Sequence, residues 1–164
     1  MPKDSPQFQF TCPTLIDTQN LATIVGKVVK GGEVIEFTSD LGGGKTAFVK
    51  GLARGMGVLD VVQSPTFMLS IVHKANRGLE LHHFDFYRLH EAGIMSAELA
   101  ESLQQANAVT AVEWGDIVHD VLPNYRMSVN ITVPTGETRV ISFTNVPPHI
   151  AKALSEYQHN HHSA

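Results

Sequence analysis

Several features that mark other protein classes are scarce in this sequence. Among its 164 residues there is one cysteine, Cys12, so neither an internal disulfide nor a cysteine-based zinc site can form. Lys and Arg number 12 against 16 Asp and Glu, and a net charge of -4 argues against a dedicated nucleic-acid-binding protein. No run of roughly 18 apolar residues occurs, so no membrane-spanning helix is predicted. The polar residues 1–11 lack the apolar stretch of a secretory signal, which predicts a reducing, cytoplasmic setting.

What remains is the composition of an ordinary globular protein. Hydrophobic residues make up 43% of the chain and charged residues 17%. No linker rich in Gly, Pro or Ser divides the sequence, so residues 1–164 are predicted to form a single domain. The His-rich tail, residues 158–164, is predicted to be frayed.

Strand and helix patterns alternate along the chain. A helix capped by Asp17 or Thr18 and ending at Gly31-Gly32 is predicted after a first strand. The other predicted elements are strands at 8–12, 33–38 and 109–112, hairpins at 67–74 with 79–87 and at 127–133 with 139–143, and helices from 45 to 55–57, over 91–106 and from 147. Since hairpin strands are antiparallel, we expect an α/β three-layer sandwich with a mixed parallel and antiparallel sheet between helices.

A glycine-rich segment between a predicted strand and a predicted helix carries the main chemical signal. Residues 39–46, Ser-Asp-Leu-Gly-Gly-Gly-Lys-Thr, follow the phosphate-loop pattern, except that Ser39 replaces the first Gly. Backbone N–H groups from Leu41 to Thr46 would surround a phosphate, and the helix beginning at Lys45 would direct its positive end at the same anion. Lys45 is predicted to reach the β- and γ-phosphates and the Thr46 hydroxyl to bind Mg²⁺. The segment therefore predicts ATP or GTP binding in a fold of the P-loop NTPase type.

Such a site also needs carboxylates near the metal. Glu113 follows the apolar strand 109–112, and Asp85 stands near the end of a hairpin strand. Either could orient water or hold Mg²⁺, and either could instead be a strand-end carboxylate paired with Arg88. The Ser64-Pro65-Thr66 segment suits a switch-like loop or a plain proline turn. His83 shares a strand face with Asp85, and a hydrogen-bonding histidine is favoured there over a metal ligand.

Together these segments resemble the TsaE family, formerly YjeE, whose members are bacterial P-loop ATPases needed for threonylcarbamoyl modification of adenosine in tRNA. The resemblance covers roughly residues 31–122. It rests on the ordered segments Asp40–Thr46, Ser64–Phe67, His83–Arg88 and Glu113-Trp114.

The resemblance implies that the nucleotide is ATP and that the cofactor is Mg²⁺. The implied catalytic residues are Lys45, Asp85 and Glu113, and the implied metal ligands are Thr46 and Glu113. The implied nucleotide-binding residues are Asp40, Leu41, Gly42, Gly43, Gly44, Lys45, Thr46, Ala47, Thr66 and Trp114. The implied partners are TsaD and TsaB, with tRNA reached only through their complex and no membrane involved.

Two positions depart from the family pattern, and two other functions compete with this one. Ser39 stands where the family usually has Gly, and Ala47 where it commonly has a second Thr, which predicts weaker hydrolysis rather than weaker binding. A small-molecule kinase would need an Arg-rich lid, whereas the basic residues after the loop are scattered. A nucleotide sensor with little hydrolysis is the other alternative. The presence of both Asp85 and Glu113 argues against it, whereas the missing glycine and the missing second Thr keep it open.

Overall fold

The computed structural model describes residues 6–39, 42–60, 62, 70–87 and 93–162. In these ranges the helices are α1 (Leu15–Val28), α2 (Lys45–Met56), α3 (Gly93–Leu103) and α4 (Pro148–His162), with a short 3₁₀ helix at Gly115–Val118. The strands are β1 (Phe8–Cys12), β2 (Val34–Ser39), β3 (Ser70–Lys74), β4 (Glu80–Asp85), β5 (Ala108–Glu113), β6 (Met127–Thr135) and β7 (Thr138–Thr144).

The strands form one seven-stranded sheet in the order β1-β7-β6-β2-β5-β4-β3. The four central strands β6, β2, β5 and β4 are parallel, while β3 pairs with β4, β7 with β6, and β1 with β7 in antiparallel fashion. The predicted mixed sheet is therefore confirmed. Because the central strands are parallel, their carboxyl ends meet at a single edge of the sheet, where α/β proteins place their ligands.

Helices cover both faces of the sheet. On one face α1, α2 and α4 bury a large apolar core that includes Leu21, Phe48 and Ile150. On the other, α3 and the 3₁₀ helix enclose a smaller core that includes Leu99 and Val118. The three-layer α/β sandwich predicted from the sequence is confirmed. No helix within the described ranges combines the length and hydrophobicity required to cross a bilayer.

The start of α1 differs from the prediction of Asp17 or Thr18 as its cap, which is wrong. Thr14 is the N-cap: its hydroxyl accepts a hydrogen bond from the Asp17 N–H at 3.2 Å, and the Asp17 carboxylate accepts one from the Thr14 N–H at 3.0 Å. This reciprocal capping box satisfies two backbone donors, so it outcompetes a cap one turn later. Asp17 is thus the third helical residue, and Thr18 is buried behind it.

The end of α1 also precedes the predicted Gly31-Gly32. The helix stops at Val28, and Gly31 follows with φ of 99°, in the left-handed region. A Cβ at Gly31 would lie 2.3 Å from the Ala106 carbonyl oxygen, so glycine is required there by close backbone approach as well as by conformation.

The His-rich tail is helical where the structure describes it. Residues 158–162, predicted to be frayed, continue α4. The Tyr157 and His161 rings stack with centroids 3.9 Å apart, and His161 Nδ1 lies 2.8 Å from the Tyr157 carbonyl oxygen. This contact between residues four apart supports the last turns of the helix.

Candidate functional site

A cleft of about 400 Å³ opens at the carboxyl ends of the central strands. That volume falls in the range of small-molecule sites. The cleft is lined by Leu15, Gln19, Gly42, Gly43, Gly44, Lys45, Thr46, Ala47, Lys50, Asp85, Tyr87, Glu113, Trp114 and Arg139. Most residues that the sequence nominated thus meet in one place, although they come from separate strands and from the N-terminus of α2.

The glycine segment forms one wall of the cleft and runs directly into α2. Gly42 and Gly44 have φ of 80° and 97°, conformations that a side chain would strain. Gly44 is the N-cap of α2 and makes no side-chain cap, so the first N–H groups of the helix are available to a bound anion. Asp40, Leu41 and Thr66, which were also predicted to bind the nucleotide, lie outside the described residues.

Lys45, the first residue of α2, is a largely buried cation. Its Nζ lies 4.2 Å from the centroid of the Trp114 ring, a cation–π contact. Burial lowers the pKa of Lys45, and the nearby charges of Glu113 and then Asp85 act in the opposite direction. Trp114 has a left-handed backbone with φ of 59°, and its ring packs 5.0 Å from that of Tyr87. An anion bound here would therefore contact a lysine side chain that is already largely desolvated.

Asp85 and Glu113 stand side by side at the same edge. They are the last residues of β4 and β5 and are direct partners in the parallel pairing of these strands. Both are almost fully buried, at 3% and 2% exposure. Asp85 Oδ1 accepts a hydrogen bond from the Tyr87 N–H at 3.0 Å, which holds the carboxylate at the turn that follows β4.

The side chain of His83 contacts the Glu113 carboxylate. The His83 ring is fully buried, and its Nε2 lies 2.8 Å from Glu113 Oε2. The preference for a hydrogen-bonding histidine over a metal ligand is consistent with this contact, since Nε2 is engaged by the carboxylate. A histidine so placed fixes the orientation of a buried carboxylate, as the outer partners of metal ligands commonly do.

The carboxylate pair fits the needs of Mg²⁺ better than those of a transition metal. Across the described ranges no group of three or more His, Cys, Asp and Glu side chains converges on one point. Mg²⁺ requires less, because it is commonly held by one or two carboxylates with substrate phosphates and water. Asp85, Glu113 and the Thr46 hydroxyl line the same cleft and provide oxygen ligands of that kind.

Five cleft residues were not singled out from the sequence as part of the site: Leu15, Gln19, Lys50, Tyr87 and Arg139. Leu15 and Gln19 come from the first turns of α1, Tyr87 follows β4, and Arg139 lies near the start of β7. Tyr87 lies within the His83–Arg88 segment, and Lys50 lies on α2 one turn after Thr46. Leu15, Gln19 and Arg139 belong to no recognisable local motif, since they reach the cleft through the order of the strands and the packing of α1 on α2. For Arg139, the one available signal was a basic residue in an otherwise uncharged strand.

Fold and cleft together define an α/β protein of the P-loop NTPase type with basic and acidic groups at the end of its glycine loop. Among known proteins, the family model for the threonylcarbamoyl adenosine biosynthesis protein TsaE matches residues 12–141. The chain belongs to the TsaE family, and so to the biosynthesis of threonylcarbamoyladenosine in tRNA.

Individual relatives support this family assignment. The tRNA threonylcarbamoyladenosine biosynthesis protein TsaE of Treponema pallidum is 35% identical over 126 residues, which span 77% of this chain and 92% of the relative. The protein of the same name from Bacillus subtilis is 35% identical over 132 residues, or 79% of this chain and 80% of the relative. The crystal structure of Bacillus subtilis YdiB matches with a TM-score of 0.75 at 25% identity, covering 95% of this chain and 99% of that one.

Proposed function

We propose that this protein is an ATPase of the tRNA threonylcarbamoyladenosine pathway that binds ATP with Mg²⁺ in the cleft and hydrolyses it slowly. It would act on a complex of TsaD and TsaB to support their turnover. The observation that carries the proposal is the convergence of a buried lysine, Lys45, with the carboxylates of Asp85 and Glu113 beside a glycine loop at a helix N-terminus.

Phosphate binding rests on two positive features. The N-terminus of α2 offers N–H groups that have no acceptor within the helix, together with the positive end of the helix dipole. Lys45 adds a full charge whose burial makes pairing with a phosphate more favourable than it would be in water. Gly42 to Ala47 would provide the backbone contacts, together with the predicted contributions of Asp40, Leu41 and Thr66.

Hydrolysis would rest on the carboxylate side of the cleft. Thr46 and Glu113 would hold Mg²⁺, which neutralises charge on the β- and γ-phosphate oxygens when bound. Asp85, anchored by the Tyr87 N–H, would orient a water molecule and accept its proton. The Trp114 ring lies beside Lys45 Nζ and would limit the access of bulk water to the phosphate end of the cleft.

Slow turnover is proposed from residue 47, and access to tRNA through partners is proposed from the net charge. At position 47 an alanine lines the cleft, so no hydroxyl is available at that position to contact a phosphate. The protein carries a net charge of -4, so we expect it to reach tRNA only through TsaD and TsaB. As a protein of tRNA modification, it is proposed to act in the cytoplasm.

The test is ATP hydrolysis by the purified protein, measured with and without TsaD and TsaB and with and without Mg²⁺. We expect weak activity alone, marked stimulation by the two partners together and none by a small acceptor molecule. Stimulation by a small acceptor would instead identify a kinase. Tight ATP binding with no hydrolysis under any of these conditions would identify a nucleotide sensor.

A further inference from the structure

Arg139 is a buried cation in the cleft, and the described residues supply no carboxylate to pair with it. It is 9% exposed, and within the described residues it makes no ion pair with a carboxylate. Its Nη1 donates to the carbonyl oxygens of Gly136 at 2.9 Å and Thr138 at 3.2 Å, whereas its Nε is buried without a hydrogen-bond partner. An arginine remains charged under all ordinary conditions, so this burial is costly unless an opposite charge compensates it.

The position of the guanidinium indicates which anion would compensate its charge. A Cβ built on Gly44 would lie 3.1 Å from Arg139 Nε, so the side chain rests directly on the glycine loop. The two carbonyl contacts hold the guanidinium in place beside the hairpin turn but supply no charge. A purely structural clamp would account for the contacts of Nη1 but would leave the buried positive charge uncompensated. A phosphate in the cleft would compensate that charge.

The order of the strands indicates which part of a nucleotide Arg139 reaches. In the sheet, Glu113 on β5 and Asp85 on β4 lie on one side of β2, while β7, which carries Arg139, lies on the other side beyond β6. Mg²⁺ bridges the β- and γ-phosphates. That end of the nucleotide therefore belongs on the side of the carboxylates, and the α-phosphate and sugar belong on the side of Arg139.

We propose that Arg139 is a nucleotide-binding residue that pairs with the α-phosphate and anchors the end of the nucleotide away from the metal. This assignment rests on the proposed function, since it needs a nucleotide in the cleft. The α-phosphate is common to ADP and ATP and does not react, so Arg139 would strengthen the binding of both nucleotides equally. It would contribute little to the hydrolytic step itself.

The experiment compares wild-type protein with Arg139→Gln, Arg139→Lys and a control, Lys152→Gln, which removes one positive charge from an exposed position of α4. Dissociation constants for ADP and for ATP are measured by calorimetry, and kcat and KM are measured with TsaD and TsaB present. We expect Arg139→Gln to weaken both nucleotides by the same factor, roughly tenfold to a hundredfold. KM should rise accordingly with kcat little changed, Arg139→Lys should be intermediate, and Lys152→Gln should match wild type.

Each other outcome has a distinct meaning. Unchanged affinity in Arg139→Gln would overturn the assignment, and so would a loss confined to ATP or to kcat, which would place the side chain at the γ-phosphate. If Arg139→Gln does not fold, Arg139→Lys keeps the charge while losing the fork, and wild-type affinity in that variant would also overturn the proposed pairing. Failure of the wild-type protein to bind any nucleotide would instead overturn the proposed function.

Discussion

The two sides of the cleft differ in charge and in how their charged groups are held. On the side of β4 and β5, Asp85 and Glu113 are buried acids with hydrogen-bond partners of their own, Tyr87 N–H and His83. On the side of β7, Arg139 is a buried base anchored to carbonyl oxygens and paired with no carboxylate of the described chain. Lys45 lies between them, at the start of α2.

This difference separates two tasks within one small cleft. Acids that are already fixed by neutral or weakly basic partners are suited to hold a metal and to handle protons, because their orientation does not depend on the ligand. Bases without acidic partners are suited to bind phosphate, because the ligand supplies the missing charge. Variants on each side should therefore affect different measurements, and the following predictions run from the largest expected effect to the smallest.

Lys45→Ala should abolish nucleotide binding, because it removes the charge that serves both sides of the cleft. We expect the affinity for ADP and ATP to fall by roughly a hundredfold or more. The fluorescence of Trp114, the protein's single tryptophan, reports binding directly, since its ring lies 4.2 Å from Lys45 Nζ. Lys152→Ala is the matched control. Near-normal affinity in Lys45→Ala would show that the helix N-terminus binds the phosphates without it.

Glu113→Gln should separate turnover from binding on the acidic side. We expect the Mg²⁺-dependent rate of hydrolysis to fall by about a hundredfold, while ADP binding measured in EDTA stays within about twofold of wild type. Glu101→Gln, an exposed acid on α3, is the control. If turnover in Glu113→Gln is undiminished, Glu113 has no role as a metal ligand.

His83→Ala should act through Glu113 and so resemble Glu113→Gln in a weaker form. We expect a tenfold to hundredfold loss of apparent Mg²⁺ affinity in the hydrolysis assay. Stability should also fall by about 1–3 kcal/mol, because the Glu113 carboxylate is left buried without its partner. His83→Gln keeps a donor near the same position and should restore the Mg²⁺ affinity in part. A loss of stability with unchanged Mg²⁺ dependence would show that His83 has only a structural role.

Thr14→Ala should have the smallest effect, and it should not act selectively on either the acidic or the basic side of the cleft. It removes the capping box at the start of α1, whose first turns carry Leu15 and Gln19 into the cleft. We expect a loss of about 1 kcal/mol, seen as a fall of about 2–4 °C in the melting temperature. Nucleotide affinity and Mg²⁺ dependence should both stay near wild type. A selective change in nucleotide affinity or in Mg²⁺ dependence would show that α1 takes part in ligand binding and does not only support the wall of the cleft.

Local patterns were sufficient to predict most elements of the fold. Alternation in 8–12 and 139–143, the turn between the strands of each hairpin, and Gly57 at the end of α2 each depend on neighbouring residues alone. The cap of α1 was misplaced because Thr14, Asp17 and Thr18 are all acceptable caps by residue type. The choice among them depends on a reciprocal pair of hydrogen bonds that is visible only in three dimensions.

The sequence by itself determined that a phosphate-type loop would precede a helix and that Lys45, Asp85 and Glu113 were candidate partners for it, because these signals are short and lie at the ends of predictable strands. Only the tertiary structure decided that His83 supports Glu113, that Trp114 covers Lys45 and that Arg139 reaches the loop from the far hairpin. These contacts join residues 30 to 95 positions apart in the chain, as the pairs His83–Glu113 and Gly44–Arg139 illustrate. Their distances depend on strand order, which no local pattern contains.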